Sequence, residues 1–181
     1  MDSWATMVSL WGASTVSMLC RDAVTTLRRC DDGIALAKAG GYGLGIPYMT
    51  VNRGWAIAML GDETEGEARV IEGTLMAEAF GAEYMRGLFR AVRAEVCLLA
   101  GRHENAYVAI DDGLSIIEAN GDRCFEAELY RLRGEALAHA GGKAAAIGDV
   151  HKAISVATAQ GALGLSRRAT ASLSRLQAPL P

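Results

Sequence analysis

The chain has 181 residues, a net charge of −3 and 51% hydrophobic residues, enough apolar side chain for a sizeable core within one domain. The mild acidity removes the electrostatic case for binding nucleic acid, and only 3 prolines leave long helices uninterrupted. The cysteines, Cys20, Cys30, Cys97 and Cys124, form no C-x-x-C pair and have no histidine at metal-ligand spacing, which points to reduced thiols in a cytoplasmic protein and to no bound metal.

Residues 3–19 open the chain as a helix that is apolar nearly all round, and Asp2 is its only charge. Trp4, Val8, Trp11, Thr15, Met18 and Leu19 form one stripe, while Met7, Leu10 and Val16 lie elsewhere. Such a helix is buried on more than one side. It has no basic n-region and is short for a bilayer, so it reads as a repeat helix rather than a signal peptide or membrane span. Trp4, Val8 and Trp11 make a docking face, either for upstream domains of a longer chain or for a second copy.

Helices follow over 22–39, 45–60, 64–79, 83–100, 104–119, 123–140 and 143–159, and a last one over 163–176. Pro47 falls in a first turn, where its missing N–H is harmless. Asp22, Asp62, Glu63, Glu65 and Glu104 lie near helix starts, as the macrodipole favours. The last helix would bury Leu165, Ala169, Leu173 and Leu176 and leave Arg167, Arg168, Ser172 and Arg175 in water, as a cap requires.

Punctuation decides the architecture. Gly41, Gly61, Gly81, Gly101, Gly121, Gly141 and Gly161 recur at a fixed spacing, and glycine ends a helix cheaply by taking the left-handed conformation. Every second one follows an alanine two residues back (Ala39, Ala79, Ala119, Ala159), so the turns alternate and the unit is a pair of helices with a period of 40. Small residues occupy three further columns at the same period: Ser14, Gly54, Ala94 and Gly134; Thr26, Gly66, Ala106 and Ala146; Gly33, Gly73, Gly113 and Ala153. Small side chains at fixed places let two helices approach closely.

This spacing resembles the tetratricopeptide family, with a longer period than its usual one. The stretches "RGWAIAMLGDETEG" (53–66), "FEAELYRLRGEAL" (125–137) and "LSRRATASLSRL" (165–176) further resemble the carboxy-terminal repeats of bacterial signalling proteins that join a class III cyclase or LuxR-type DNA-binding domain to a STAND-type ATPase. The resemblance implies an all-α, right-handed α-solenoid of about four antiparallel helix pairs (3–40, 44–80, 83–120, 123–160) with a cap at 163–176, one domain over 1–181. It also implies that any cyclase or ATPase would lie upstream, since none of their motifs occurs here.

Candidate chemistry is sparse. "GGYGLG" (40–45) has no following Lys-Ser/Thr and falls on a repeat turn, so it is no phosphate loop. His103, His139 and His151 are too dispersed for a metal site or a triad. Asp31-Asp32 and Asp111-Asp112 recur on alternate repeats and read as a solvated face. Arg53, Arg93 and Arg133 form a ladder, each expected to pair with a glutamate of a neighbouring helix, with Glu95, Glu128 and Glu135 as candidates. No catalytic residue or cofactor site is assigned.

Helix A lines the inside of such superhelices in the family resembled, which places Tyr48, Val51, Trp55 and Met59, then Leu88, Arg93 and Glu95, then Glu128, Arg131 and Glu135 on or beside a partner-binding groove. Aromatic and arginine residues are common interface anchors. The expected function is therefore a non-enzymatic scaffold for a protein or peptide, or a docking module of a signalling ATPase, cyclase or transcriptional regulator. Inducer sensing through a pocket of Tyr48, Trp55 and Arg93 is the alternative.

Overall fold

The computed structural model describes residues 3–178; Asp2 lies outside them. Among the described residues the elements are α1 (Ser3–Leu19), α2 (Ala23–Gly40), α3 (Ile46–Met59), α4 (Glu63–Ala79), α5 (Arg86–Leu99), α6 (His103–Asn120), α7 (Glu126–His139), α8 (Lys143–Ala159) and α9 (Leu163–Gln177), with a short 3₁₀ turn, Gly43–Gly45, before α3 and no strand. The chain divides into two compact units, one ending at Tyr84 and the other starting at Met85. The first holds α1–α4 and the second α5–α9, so the division falls between helix pairs.

The glycine punctuation works as its chemistry dictates. All seven periodic glycines have positive φ, from 66° at Gly161 to 107° at Gly61. Where the series lacks its first glycine, Arg21 takes the same left-handed turn at φ 67°, at a steric cost of roughly 1–2 kcal/mol. Its guanidinium lies 4.9 Å from the ring centre of Trp55, a cation–π contact that offsets about 0.5–1 kcal/mol. Asp22 and Asp62 cap α2 and α4, accepting from the N–H groups of Thr25 and Glu65 at 3.0 Å, each cap contributing about 1 kcal/mol.

All the residues of the three small columns are buried. The closest packing joins α3 to α4. A Cβ on Gly54 would come within 2.6 Å of the Gly66 carbonyl oxygen, and one on Gly66 within 2.7 Å of the Gly54 carbonyl oxygen. Backbones that meet this closely exclude any larger residue. In the first unit, Met7, Cys30, Ala37 and Met49 form a core against which Trp11, Ile34 and Tyr42 pack. Burial pushes the Cys30 thiol up to about 12, against a hydrogen bond from Ser14, so this thiol is an inert core group. The second unit centres on Ala91, Ile110, Ile117, Leu129 and Leu132. A further cluster of Val150, Ala153 and Ala169 holds α9, with Leu173 and Leu176 against it.

Three expectations change. α5 and α7 begin three residues later than predicted, because the chain first turns: Met85 adopts the left-handed conformation at φ 63°, and the Asn120 and Asp122 side chains accept from the N–H groups of Asp122 and Cys124, the local bonding that makes Asn and Asp turn residues. α1 buries Met7, Ser14, Thr15, Ser17 and Met18, so Met7 belongs to the inward face and Leu19 does not. The polar members of that face are satisfied across helices: Asn52 donates to Ser14 Oγ and Thr15 Oγ1 at 3.1 and 3.0 Å, and Thr26 donates to Ser17 Oγ at 3.0 Å. Finally, Ser172 of α9 is 1% exposed, on a side predicted to be wet. It lies three residues beyond buried Ala169, on the same helix face.

Candidate functional site

The densest polar constellation lies in the second unit, on α5, α7 and α9. At its centre Arg131, 5% exposed, grips Glu128 through Nε and Nη2 at 3.0 and 2.6 Å, and its Nη1 is 2.7 Å from Glu135. Glu95 lies 3.6 Å from its Nη2. From α9, Arg168 donates to Glu128 at 2.7 Å and to Glu95 at 3.2 Å. Arg175 donates to Glu135 at 2.8 Å, and the Ser172 hydroxyl donates to the same oxygen at 2.8 Å. Three carboxylates thus meet three guanidiniums.

Burial and pairing compete here, and pairing wins. Desolvation alone would lower the pKa of Arg131, yet Glu128, Glu135 and Glu95 raise it above the usual arginine value. Burial alone would raise Glu135; Arg131, Ser172 and Arg175 outweigh it and hold the carboxyl below its ordinary range. Pairing therefore favours the charged forms of Arg131 and Glu135. At the exposed edge a recess of about 280 Å³ is lined by Glu135, Ala138, His139, Ser172, Arg175 and Leu176. Its carboxylate is already held by two guanidiniums and a hydroxyl.

Glu95, Glu128, Arg131 and Glu135, singled out from the sequence, are thus brought together, but with different partners from those expected. Two of the ladder arginines take aspartates instead: Arg53 donates to Asp31 at 2.7 Å, and Arg133 makes a bidentate pair with Asp149 at 2.6 and 2.8 Å. Aspartates of the outer helices fall within reach, whereas Arg131 and the α9 arginines have already taken the glutamates. Asp31 and Asp112 are likewise ion-paired rather than merely solvated, Asp112 with Arg90. Arg93 is half-buried.

The apolar groove candidates are closed over. Val51, Trp55, Leu88 and Tyr48 are 0%, 1%, 3% and 5% exposed, so these side chains fill packing space. Tyr48 meets Trp11 at a tilt of 38°, ring centres 4.6 Å apart. Met59 is half-buried, with its sulfur 3.4 Å from Arg21 Nη2. Of the docking face, Trp4 is 43% and Val8 37% exposed, whereas Trp11 is half-buried against Tyr48. Trp4 meets Tyr42 edge-on at 5.3 Å. Val16, outside the predicted stripe, is the most exposed large residue of α1 at 59%.

Arg168 and Arg175 were missed as site residues, although the repeat marks them. Glu95, Glu135 and Arg175 occupy one column at the period of 40, and Leu88, Glu128 and Arg168 another. An ion pair joins the last two members of each column, Glu135 to Arg175 and Glu128 to Arg168. His103 and His139, read as dispersed, stack with ring centres 4.6 Å apart, because one opens α6 and the other closes α7 at the same kind of turn. Among the described residues no three His, Cys, Asp or Glu side chains could together hold a metal ion, and no helix is long and apolar enough to cross a membrane.

No protein-family model matches the chain. It is similar to an uncharacterized protein of Rhizobium meliloti (strain 1021), 32% identical over 124 residues, which cover 68% of this chain and 12% of that protein. The chain therefore spans a small part of the length of the relative it matches. Among solved structures it is similar to a STAND (signal transduction ATPase with numerous domains) protein with a tetratricopeptide repeat sensor from Pyrococcus horikoshii. The TM-score is 0.69 at 12% identity, over 96% of this chain and 27% of that one. The fold is a tetratricopeptide-like helical repeat. That likeness carries the architecture, and the four predicted helix pairs with a ninth helix accord with it.

Proposed function

We propose that this chain is a non-enzymatic, cytoplasmic regulatory module that docks a protein, a peptide or a further domain, of the kind found in STAND-type signalling ATPases, cyclases and transcriptional regulators. The observation that carries this reading is the outer face of α1. The helix Ser3–Leu19 contains no charged residue, and Trp4, Val8, Val16 and Leu19 expose 43%, 37%, 59% and 38% of their surface. Apolar surface grouped in this way marks an interaction site more often than scattered exposed residues do. The similarity to a repeat sensor within a longer signalling protein supports the same reading. The ion network would keep α9 in place while the opposite end of the chain engages its partner.

A photo-crosslinking residue at Val16 tests it in the source cell. We expect a discrete adduct of defined mass, lost when Val8→Glu is introduced beside it, and absent when the crosslinker stands at exposed Thr158 on α8. Adducts of equal yield from Val16 and Thr158 would refute the docking face. Sedimentation separates the candidate occupants: concentration-dependent dimers that Val8→Glu abolishes identify a second copy.

A further inference from the structure

A second recess lies in the first unit, remote in sequence from the ion network. It has a volume of about 420 Å³ and runs between α2 and α4 over the outward side of α3. Its wall chemistry is uneven. Arg53 and Arg69 supply guanidiniums whose side chains are 32% and 36% exposed. Lys38, exposed on α2, supplies the third cation. Between the cations the lining is mainly apolar, with Ile34, Ile46 and Met76 each half-buried; the Thr50 hydroxyl there donates to the Ile46 carbonyl at 2.8 Å.

The helix register sets the two ends apart. Arg53 hydrogen-bonds Asp31, so it belongs to the Asp31 end of α2. Lys38 stands seven residues further along α2, about 10 Å at 1.5 Å per residue. Arg69 falls at the Arg53 end, because a Cβ on Gly54 would touch the Val70 nitrogen, while Pro47, one residue after the lining Ile46, meets Gly73 further along α4. The recess thus has two guanidiniums at one end, an ammonium at the other and a mainly apolar floor between.

Three carboxylates share the two guanidiniums. Asp31 takes Arg53 through Nε alone, and a guanidinium presents five donors in a fixed fork. Arg69 pairs with Glu65 through Nε and with Glu72 through Nη1. All three acids are about half exposed, so their pairs are weak and easily shared. Glu65 lies outside the recess, whose own lining carries Arg53, Arg69 and Lys38 against Asp31 and Glu72.

We propose that this recess is a binding site for an elongated organic diacid. One carboxylate is held between Arg53 and Arg69, the hydrocarbon body covers Ile34, Ile46 and Met76, and the second carboxylate reaches Lys38. The site is separate from the α1 docking face, so its failure leaves the function proposed above untouched. Suberate, whose carboxylates stand roughly 9 Å apart when extended, is the test ligand, with octanoate and succinate as the one-ended and short controls. Calorimetric titration at constant ionic strength should give a Kd of about 0.1–1 mM for suberate, with octanoate and succinate at least roughly fivefold weaker. Lys38→Met should bring suberate down to the octanoate affinity. Arg69→Met should weaken both of these, and Arg133→Met, in the second unit, neither. Lys38 is exposed, so its replacement leaves the fold intact, which the thermal midpoint of the variant checks. The proposal is overturned if suberate gives no heat up to about 10 mM, if octanoate binds as tightly as suberate, or if Lys38→Met leaves the suberate affinity unchanged.

Discussion

Replacing glycine by alanine at equivalent places in three repeats should have three different effects. Gly33, Gly73 and Gly113 occupy one column of outer-helix positions, and in the fourth repeat Ala153 already stands there. In a helix interior the change gains about 1 kcal/mol of intrinsic propensity. What the new methyl meets decides the rest. At Gly73 it would lie 2.7 Å from the Pro47 carbonyl oxygen and 2.8 Å from the Val51 nitrogen. Both are backbone atoms, so α3 and α4 must part by about 0.7 Å to restore ordinary contact at 3.4 Å, and overpacking of that kind costs about 1–3 kcal/mol or more. At Gly113 the obstacles are the Arg90 Cβ and the two Leu129 methyl groups, at 2.9–3.0 Å; the leucine can turn. At Gly33 the nearest atom is the Met49 sulfur at 2.4 Å, part of an unbranched chain that adapts to its surroundings. Urea unfolding followed by circular dichroism should place Gly33→Ala within about 0.5 kcal/mol of wild type. Gly113→Ala should fall slightly below it, and Gly73→Ala about 1–2 kcal/mol below. The last value corresponds to a fall in Tm of roughly 4–15 °C for a unit of this size. If Gly73→Ala matches wild type, or Gly33→Ala is the worst of the three, the backbone-contact reasoning is wrong.

Two further outcomes follow from the ion network. Arg131→Met leaves Glu95, Glu128 and Glu135 facing one another in a buried place and should cost about 3–5 kcal/mol; adding Glu128→Gln should recover part of that loss, and a double variant no more stable than the single one would refute mutual repulsion as the cause. Because the Glu135 carboxyl is held below its ordinary range by Arg131, Ser172 and Arg175 against the opposing effect of burial, its stabilising contribution is present above the unfolded-state value and disappears as pH falls through the folded one. The Tm of Glu135→Gln should therefore fall less steeply than that of wild type as pH drops below about 5, and parallel slopes would count against the assignment.

The architecture was legible because its signals are local or strictly periodic. A left-handed turn asks for glycine wherever it occurs, and a close helix crossing asks for a small residue at one height, so both leave columns that can be read without coordinates. The helix starts were less legible. Asp122 and Arg123 are compatible with a helix, and only their side-chain bonds to neighbouring backbone and to Glu126 show that the turn persists. The inner strip was found and its state misread. Val51 and Trp55 face inward at the right period, but side chains of that size fill the space that a groove would need. Pairing was the hardest to read, since a column of arginines does not show whether its carboxylates come from inner or outer helices. Arg168 illustrates why: beside Arg167 it looks like one more solvated cation, and its role emerges only by comparison with Glu128, one repeat earlier.

The columns of that network also fix the order of the parts. Glu95 and Glu135 are followed by Arg175, and Glu128 by Arg168, so the sign of the charge reverses on entering α9. Repeat arrays commonly grow or shrink by copying whole units, which preserves small residues and turn glycines without penalty. Here a copied α7–α8 pair would set a second Glu128 against the first and a second Glu135 against its twin, with acids where the α9 bases now stand. A deletion of the same pair would bring the α9 arginines against Leu88 and a lone Glu95. Along these columns the repeats are alike in shape but not interchangeable in sequence order, and α9 fits after one neighbour only.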